Sequence, residues 1–474
     1  MSPWLALPPH GTLAREVAGL AIVGLSALAI LLLAETWRRA GAARPEWTRK
    51  FVHVGVGVLA GCFPWVFDRA ASVLLLTLGS VVAMLVARRL RALPALLEID
   101  RHSLGEIYFP ISVAALYLLA RHQPILYLIS IYTMVVCDAL AAILGKGYGR
   151  HPYVVTTDHK TAEGTAIFLV FAFLGVHLPL LLLTNVDRTA CVLIAAQIAL
   201  LVTCFEAISV QGLDNLVVPL GTYYLLMRMT PRTAPEVATS LLVQLALLGS
   251  MMLLAWRTRF LTFSGALAAH LVLYAAFALG GAKWVVAPAA ALAAFLALDA
   301  YGNRGGRERP AYHVAAIFHM SVVAVALLFL DNSFATLVPG PPSLSSAHVF
   351  YAPFVGALAA SLTAGAFLSL GTGPRKLRSR PWLRAVVALV LGAGVVVPLG
   401  LLVVREGLRI PDVVAATMVG ALSLAFFLLL RRGPSPSTEL RHQFRFVSLS
   451  VLTACAVVLP LHLVWIGAVG WVRR

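Results

Sequence analysis

The sequence predicts an all-α protein, a polytopic transmembrane helical bundle of about 16 spans in two modules. Hydrophobic residues make up 60% of the 474 residues and charged residues only 12%, with a mean hydropathy of +0.89. Soluble proteins are about half apolar and a quarter charged, so this composition excludes a soluble fold. Apolar runs approaching the roughly 20 residues that a helix needs to cross a bilayer recur along the whole chain.

The predicted spans are apolar runs bounded by charged residues or by Pro/Gly clusters. In the first half they lie near residues 16–36, 50–67, 71–88, 107–121, 124–144, 162–184, 189–210 and 213–228. In the second half they lie near residues 236–256, 261–280, 283–301, 312–330, 350–371, 382–404, 412–431 and 446–472. Arg38 and Arg39 follow the first run in place of a small-residue cleavage site, so we expect a retained helix.

Basic residues give a formal charge of +17, from 37 Lys and Arg against 20 Asp and Glu. They gather in alternate connections between spans, which predicts helix orientation and headgroup contact rather than nucleic-acid binding. These connections are residues 38–50, 88–101, 146–160, 257–259, 304–309, 375–380 and 431–445. We therefore expect an integral protein of the bacterial inner membrane, with these connections in the cytoplasm and the neutral stretch 331–348 on the other side.

Polar residues are distributed unevenly along the chain. They interrupt the apolar runs before Thr230, whereas later spans are mostly Ala, Leu and Val with charges confined to connections. The stretch 229–236 is the predicted junction, which gives a first module over residues 1–232 and a second transmembrane module of unassigned function over 233–474.

Three acids interrupt apolar runs. Asp138 and Glu206 are each the sole acid of a run, and Glu106 opens another. A charge at the centre of a span costs about 2.5–3.5 kcal/mol on insertion scales, so such acids are functional or paired. Taken singly, each is equally compatible with a structural carboxylate held by Arg or by backbone donors.

The surroundings of Asp138 favour a functional role. A glycine-rich basic loop is predicted over residues 145–150, about two helical turns beyond it, and continues to a polar segment at 157–165 that contains Lys160. Glycine permits close backbone approach, Lys and Arg neutralise phosphate oxygens, and the N-terminus of the following helix attracts anions.

Two more polar groups are predicted at the same membrane surface. One is Arg49, Lys50 and His53, and the other is the segment 211–215, which contains Asp214 and Asn215. Acids that bind a divalent cation and cations that bind phosphates, at a lipid-accessible depth, suit phosphoryl transfer from a nucleotide to a lipid.

These segments also resemble, in order, four motifs of the dolichol kinase and phytol kinase family, whose members are polytopic and commonly use CTP. The motifs are RKFVHVGVG from Arg49, CDALAAILGKGYGR from Cys137, KTAEGTAIF from Lys160 and GLDNLVVPL from Gly212. Cys137 stands where the family usually has Gly. The resemblance covers residues 49–220 and implies active-site roles for Asp138, Lys160, Glu163, Asp214 and Asn215.

We therefore expect a kinase that transfers a phosphoryl group from CTP, with Mg²⁺, to a polyprenol, a phytol-like alcohol or diacylglycerol. The expected catalytic residues are Asp138, Lys160, Glu163 and Asp214, of which the three acids would bind the metal. The expected nucleotide- and phosphate-binding residues are Arg49, Lys50, His53, Lys146, Arg150, Lys160, Gly164 and Asn215. Glu106 and Glu206 are further polar site residues.

Three other interpretations stay open at this point. A cytidylyltransferase would make a CDP-lipid and release pyrophosphate. A transporter or scramblase would use the buried acids as an ion path near the midplane of inverted repeats, whereas these acids gather towards one surface. A scaffold without activity would dock a partner through its second half.

Overall fold

Two compact units, residues 1–242 and 243–474, make up the chain. The structure is a computed structural model, and each unit is described by itself. The described residues are 8–41, 45–90, 104–155, 158–302, 311–337, 348–370, 380–404, 410–430 and 440–472. The predicted connections 88–101, 304–309, 375–380, 431–445 and 331–348 lie partly or wholly outside them.

The first unit is built almost entirely of helices. Their bounds are α1 (Leu13–Arg39), α2 (Pro45–Gly61), α3 (Phe63–Val66), α4 (Ala70–Leu90), α5 (Gly105–Ala120), α6 (Pro124–Tyr132), α7 (Asp138–Tyr148), α8 (Ala162–Leu183), α9 (Arg188–Ile208) and α10 (Asp214–Met229). Helix α11 (Ala234–Thr258) begins in this unit and ends in the second. The predicted module junction therefore stays a prediction.

The second unit surrounds one buried helix. Its elements are α12 (Phe263–Gly280), a 3₁₀ turn (Ala282–Val285), α13 (Val286–Gly302), α14 (Val314–Leu337), α15 (Tyr351–Leu370), α16 (Pro381–Leu391), a π turn (Gly392–Val396), α17 (Val397–Val404), α18 (Ile410–Leu430) and α19 (Leu440–Val472). Every residue of α15 is buried, so this helix forms the core. Small residues allow the close packing, since a Cβ on Gly356 would lie 2.9 Å from the Cα of Ala416.

The structure confirms the all-α polytopic prediction. Twelve helices of the described part are long and apolar enough to cross a membrane, so the chain is an integral membrane protein. The remaining four of the sixteen predicted runs are also helical, but α2, α5 and α10 contain only 16 or 17 residues. Such helices measure about 24–26 Å, short of the roughly 30 Å hydrocarbon core. The fourth run joins the short 3₁₀ turn to α13.

The predicted glycine-rich loop is wrong over residues 145–148, because α7 continues to Tyr148. A Cβ on Gly145 would lie 2.9 Å from the Cα of Gly164, so the lack of a side chain at Gly145 allows α7 and α8 to cross closely. A small antiparallel hairpin follows, with β1 (Pro152–Val155) and β2 (Asp158–Thr161) paired from Pro152↔Thr161 to Val155↔Asp158.

A π-helical turn, Thr133–Cys137, interrupts the predicted run 124–144 immediately before Asp138. Two glycines of neighbouring helices pack against this region. A Cβ on Gly57 would overlap the Val135 side chain, and a Cβ on Gly175 would overlap the Tyr132 ring. Single π turns are frequent at functional sites because they redirect the side chains that follow.

Candidate active site

Lys50 and Asp138 form a buried ion pair between α2 and α7. The Lys50 Nζ lies 2.5 Å from Asp138 Oδ2, and the Lys50 side chain is 3% exposed. His53, one helical turn after Lys50, places its Nε2 3.6 Å from the same carboxylate oxygen. Its ring packs edge-to-face on Phe109 of α5, with centroids 5.3 Å apart. The structure thus brings together three residues that the sequence predicted for the site.

The hairpin delivers a second lysine, which is partly buried. Lys160 Nζ lies 2.7 Å from Glu206 Oε1 and also donates to the Glu206 carbonyl near the end of α9. The Tyr153 hydroxyl lies 2.8 Å from Thr165 Oγ1 and 3.3 Å from the Ala207 carbonyl, which anchors the hairpin. Burial lowers the pKa of Lys160, but the Glu206 and Asp214 carboxylates raise it by more, so the net pKa lies above its usual range.

The connection before α10 fixes Asp214 and Asn215. Its backbone turns sharply at Gln211 and Gly212, whose φ angles are 56° and 80°. The Asp214 amide donates to Ser209 Oγ at 2.9 Å, and Asn215 Nδ2 donates to the Gly105 carbonyl at 3.3 Å. Asn215 therefore joins α10 to the start of α5.

These groups form one electrostatic cluster. Asp214 interacts electrostatically with Asp138, Lys160 and Lys50, and Glu206 interacts with Lys160, Asp214 and Asp138. We call the five residues Lys50, Asp138, Lys160, Glu206 and Asp214 the central charge cluster. It unites four helices (α2, α7, α9 and α10) and the hairpin at the end of the unit where α2 begins, here called the site end.

Glu46 is a member of the site end that the sequence did not reveal. Its two carboxylate oxygens lie 2.6 Å from Arg49 Nη2 and 2.8 Å from Lys146 Nζ. It thereby connects two predicted phosphate-binding residues on α2 and α7. The available signal was the (i, i+3) spacing of Glu46 and Arg49, which favours pairing on a helix.

Other predicted residues have separate partners. Glu163 accepts from His151 Nδ1 at 2.7 Å and from the His151 amide at 3.3 Å. Glu106 lies 2.7 Å from Arg88 Nη2, and Arg150 is exposed before the hairpin. The Gly164 amide donates to Thr161 Oγ1, which caps α8. Gly164 thus contributes to the capping and packing of α8.

The acids of the central charge cluster are the candidates for the magnesium site that the sequence predicted. In the described part of the chain, no group of three or more His, Cys, Asp and Glu residues could hold a metal ion by itself. Mg²⁺ on a nucleotide takes one or two protein carboxylates together with phosphate oxygens and water. Asp138 and Asp214, which interact electrostatically, provide such a pair.

Comparison with known proteins identifies one relative of this chain. A stretch of 205 residues is 32% identical to a phytol kinase from Synechocystis sp., and it covers 42% of this chain and 88% of the relative. No family model matches the chain. No solved structure matches it either. Identity at this level over nearly the whole relative establishes kinship, and the chain therefore belongs to the phytol kinase family.

Proposed function

We propose that the first unit is a lipid-alcohol kinase, which transfers the terminal phosphoryl group of CTP to the hydroxyl of an isoprenoid-type alcohol at the cytoplasmic face. The observation that carries the proposal is the central charge cluster, in which one buried lysine, one partly buried lysine and three acids from distant segments meet at one end of an apolar bundle. The phytol kinase relative supports the reaction class.

Phosphoryl transfer depends mainly on positioning and on charge stabilisation, and the site end supplies both. Lys50 is buried and Lys160 is partly buried, and each is held by a carboxylate, so both ammonium groups are already ordered before phosphate oxygens arrive. The raised pKa of Lys160 keeps its ammonium charged at neutral pH. A bound Mg²⁺ would neutralise phosphate charge, with Asp138 and Asp214 as its protein ligands. The same two carboxylates are the candidates to accept the proton of the alcohol.

The position of the cluster matches the requirements of a lipid substrate. Asp138 lies within an apolar helix long enough to span a membrane, nearly three turns before its end at Tyr148. A hydroxyl headgroup at the membrane surface can reach that depth while its hydrocarbon chain stays among apolar helices. The basic connections near this end favour a cytoplasmic location, where the nucleotide is available.

The test is incubation of the purified full-length protein with labelled CTP or ATP and a panel of lipid alcohols, namely phytol, a polyprenol and diacylglycerol. The proposal predicts label on at least one alcohol, with CTP as the better donor. Failure of every alcohol to take label, in protein that is monodisperse by gel filtration, would overturn it.

A further inference from the structure

Glu46 is bonded to two cations of different helices. One carboxylate oxygen accepts from Arg49 on the same helix at 2.6 Å, and the other accepts from Lys146 of α7 at 2.8 Å. The Glu46 side chain is 17% exposed, and that of Lys146 is 58% exposed. Without Glu46, the long Lys146 side chain would be free to sample many rotamers in water.

Arg49 carries an unused donor. Its Nε is buried and has no hydrogen-bond partner among the residues that the structure describes. A buried N–H without a partner is costly, and charged donors of this kind bond well to phosphate oxygens. Arg49 also interacts electrostatically with Asp138 of the central charge cluster and with Glu106.

We propose that Glu46 is a positioning residue for nucleotide binding, which holds Arg49 and Lys146 in place so that both receive the phosphate groups of the nucleotide. This inference rests on the proposed function in that the ligand is a nucleoside triphosphate. Glu46 itself touches neither substrate. Its contribution is to fix one exposed and one partly buried cation beside each other before the ligand arrives, which lowers the ordering cost of binding.

The experiment compares full-length wild type with Glu46→Gln, which keeps the shape of the side chain and removes its charge. We expect the Kd for CTP, and the KM for CTP in the kinase assay, to rise about tenfold, as for loss of a charge-assisted hydrogen bond. We expect kcat to change less than about twofold, because the reacting groups are untouched. A purely structural role would lower the melting temperature and the folded fraction without moving Kd.

Glu35 provides a matched control. Its carboxylate also lies 2.8 Å from two arginines, Arg38 and Arg39, but all three residues belong to α1. Glu35→Gln should leave the Kd for CTP unchanged. If it raises Kd as much as Glu46→Gln does, the effect reflects general surface charge and the inference is wrong.

A double-variant cycle tests the proposed route of action. Two independent tenfold effects would together raise the Kd for CTP roughly hundredfold. If Glu46 acts by holding Lys146, the double variant Glu46→Gln with Lys146→Met should raise the Kd by much less than that. Full additivity would contradict the inference.

Wild type that binds CTP but phosphorylates no alcohol would overturn the proposed function alone, since the Kd for CTP still decides the role of Glu46. Absence of CTP binding to wild type would overturn the inference.

Discussion

The two ends of the first unit both contain buried charges but bond them differently. At the far end, where α1 begins, Glu16 accepts from the amides of Asp68 and Arg69 at 3.0 and 3.1 Å and from Ser72 Oγ at 2.5 Å. Arg15 donates there to the carbonyls of Pro8 and Trp65 at 3.1 and 2.6 Å. Most of these partners are main-chain groups.

At the site end, by contrast, charges pair mainly with side chains of other segments, as in Lys50–Asp138, Lys160–Glu206 and Glu46–Lys146. A ligand can replace a side-chain partner, but it cannot replace a main-chain partner without opening the fold. We infer that the far-end charges fasten helices together, whereas the site-end charges are available for exchange with a substrate. This difference predicts large losses of turnover for substitutions at the site end and smaller losses elsewhere.

The largest effect is expected at Asp138. Asp138→Asn should lower turnover by at least about 100-fold, the scale found when one electrostatic group of an active site is removed. Turnover in the lipid kinase assay, normalised to folded protein from gel filtration, measures it.

Removal of Asp138 also leaves Lys50 buried without its partner, which is destabilising by itself. The control is the double variant Lys50→Met with Asp138→Asn, in which neither charge remains. It should recover the melting temperature and stay inactive. Recovery of activity along with stability would assign Asp138 a purely structural role.

Glu16 should show the opposite behaviour. Glu16→Ala leaves two amides and a hydroxyl without their acceptor, at a cost of about 1–3 kcal/mol for a buried unsatisfied group. We expect a lower melting temperature with unchanged turnover per folded molecule. A large loss of turnover in the folded fraction would break the distinction between the two ends.

Truncation after the first unit's site residues should have a smaller effect on kinase activity. All five residues of the central charge cluster precede Arg232, so we expect chains ending at Arg232 or at Thr258 to keep kinase activity. The longer chain should have the higher melting temperature, because Gln197 Nε2 donates to Ser240 Oγ of α11 at 2.7 Å in the core. A folded but inactive truncation that recovers when the remaining segment is co-expressed would show that the site is shared.

The smallest effect is expected at His151. Its side chain is 80% exposed where it pairs with Glu163, and exposed ion pairs contribute little. His151→Ala should change turnover less than about threefold in the same assay. A loss of turnover comparable to that of Asp138→Asn would place the His151–Glu163 pair in the reaction centre.

Much of this arrangement was accessible from the sequence, since lone acids in apolar runs are conspicuous. Asp138 and Glu206 stood out in that way, and the lysines followed from their motifs. Glu46 was not found because it falls in a predicted connection rich in charges, and its pairing with Lys146 depends on the position of α7. The π turn was not predicted from the sequence; Gly57 packs against its Val135 and Gly175 packs against Tyr132 just before it. Gly145 fits both a loop and a helix crossing, and only the tertiary structure distinguishes them.

Transfer of the terminal phosphoryl group to the lipid is tested most directly with two differently labelled CTP molecules, one carrying label at the γ-phosphate and one at the α-phosphate. With an accepted alcohol and purified full-length protein, the account predicts that γ-label appears on the lipid and that α-label stays on the nucleotide. Transfer of α-label to a lipid would indicate cytidylyl transfer and contradict the account. So would γ-label transfer that persists undiminished in folded Asp138→Asn protein.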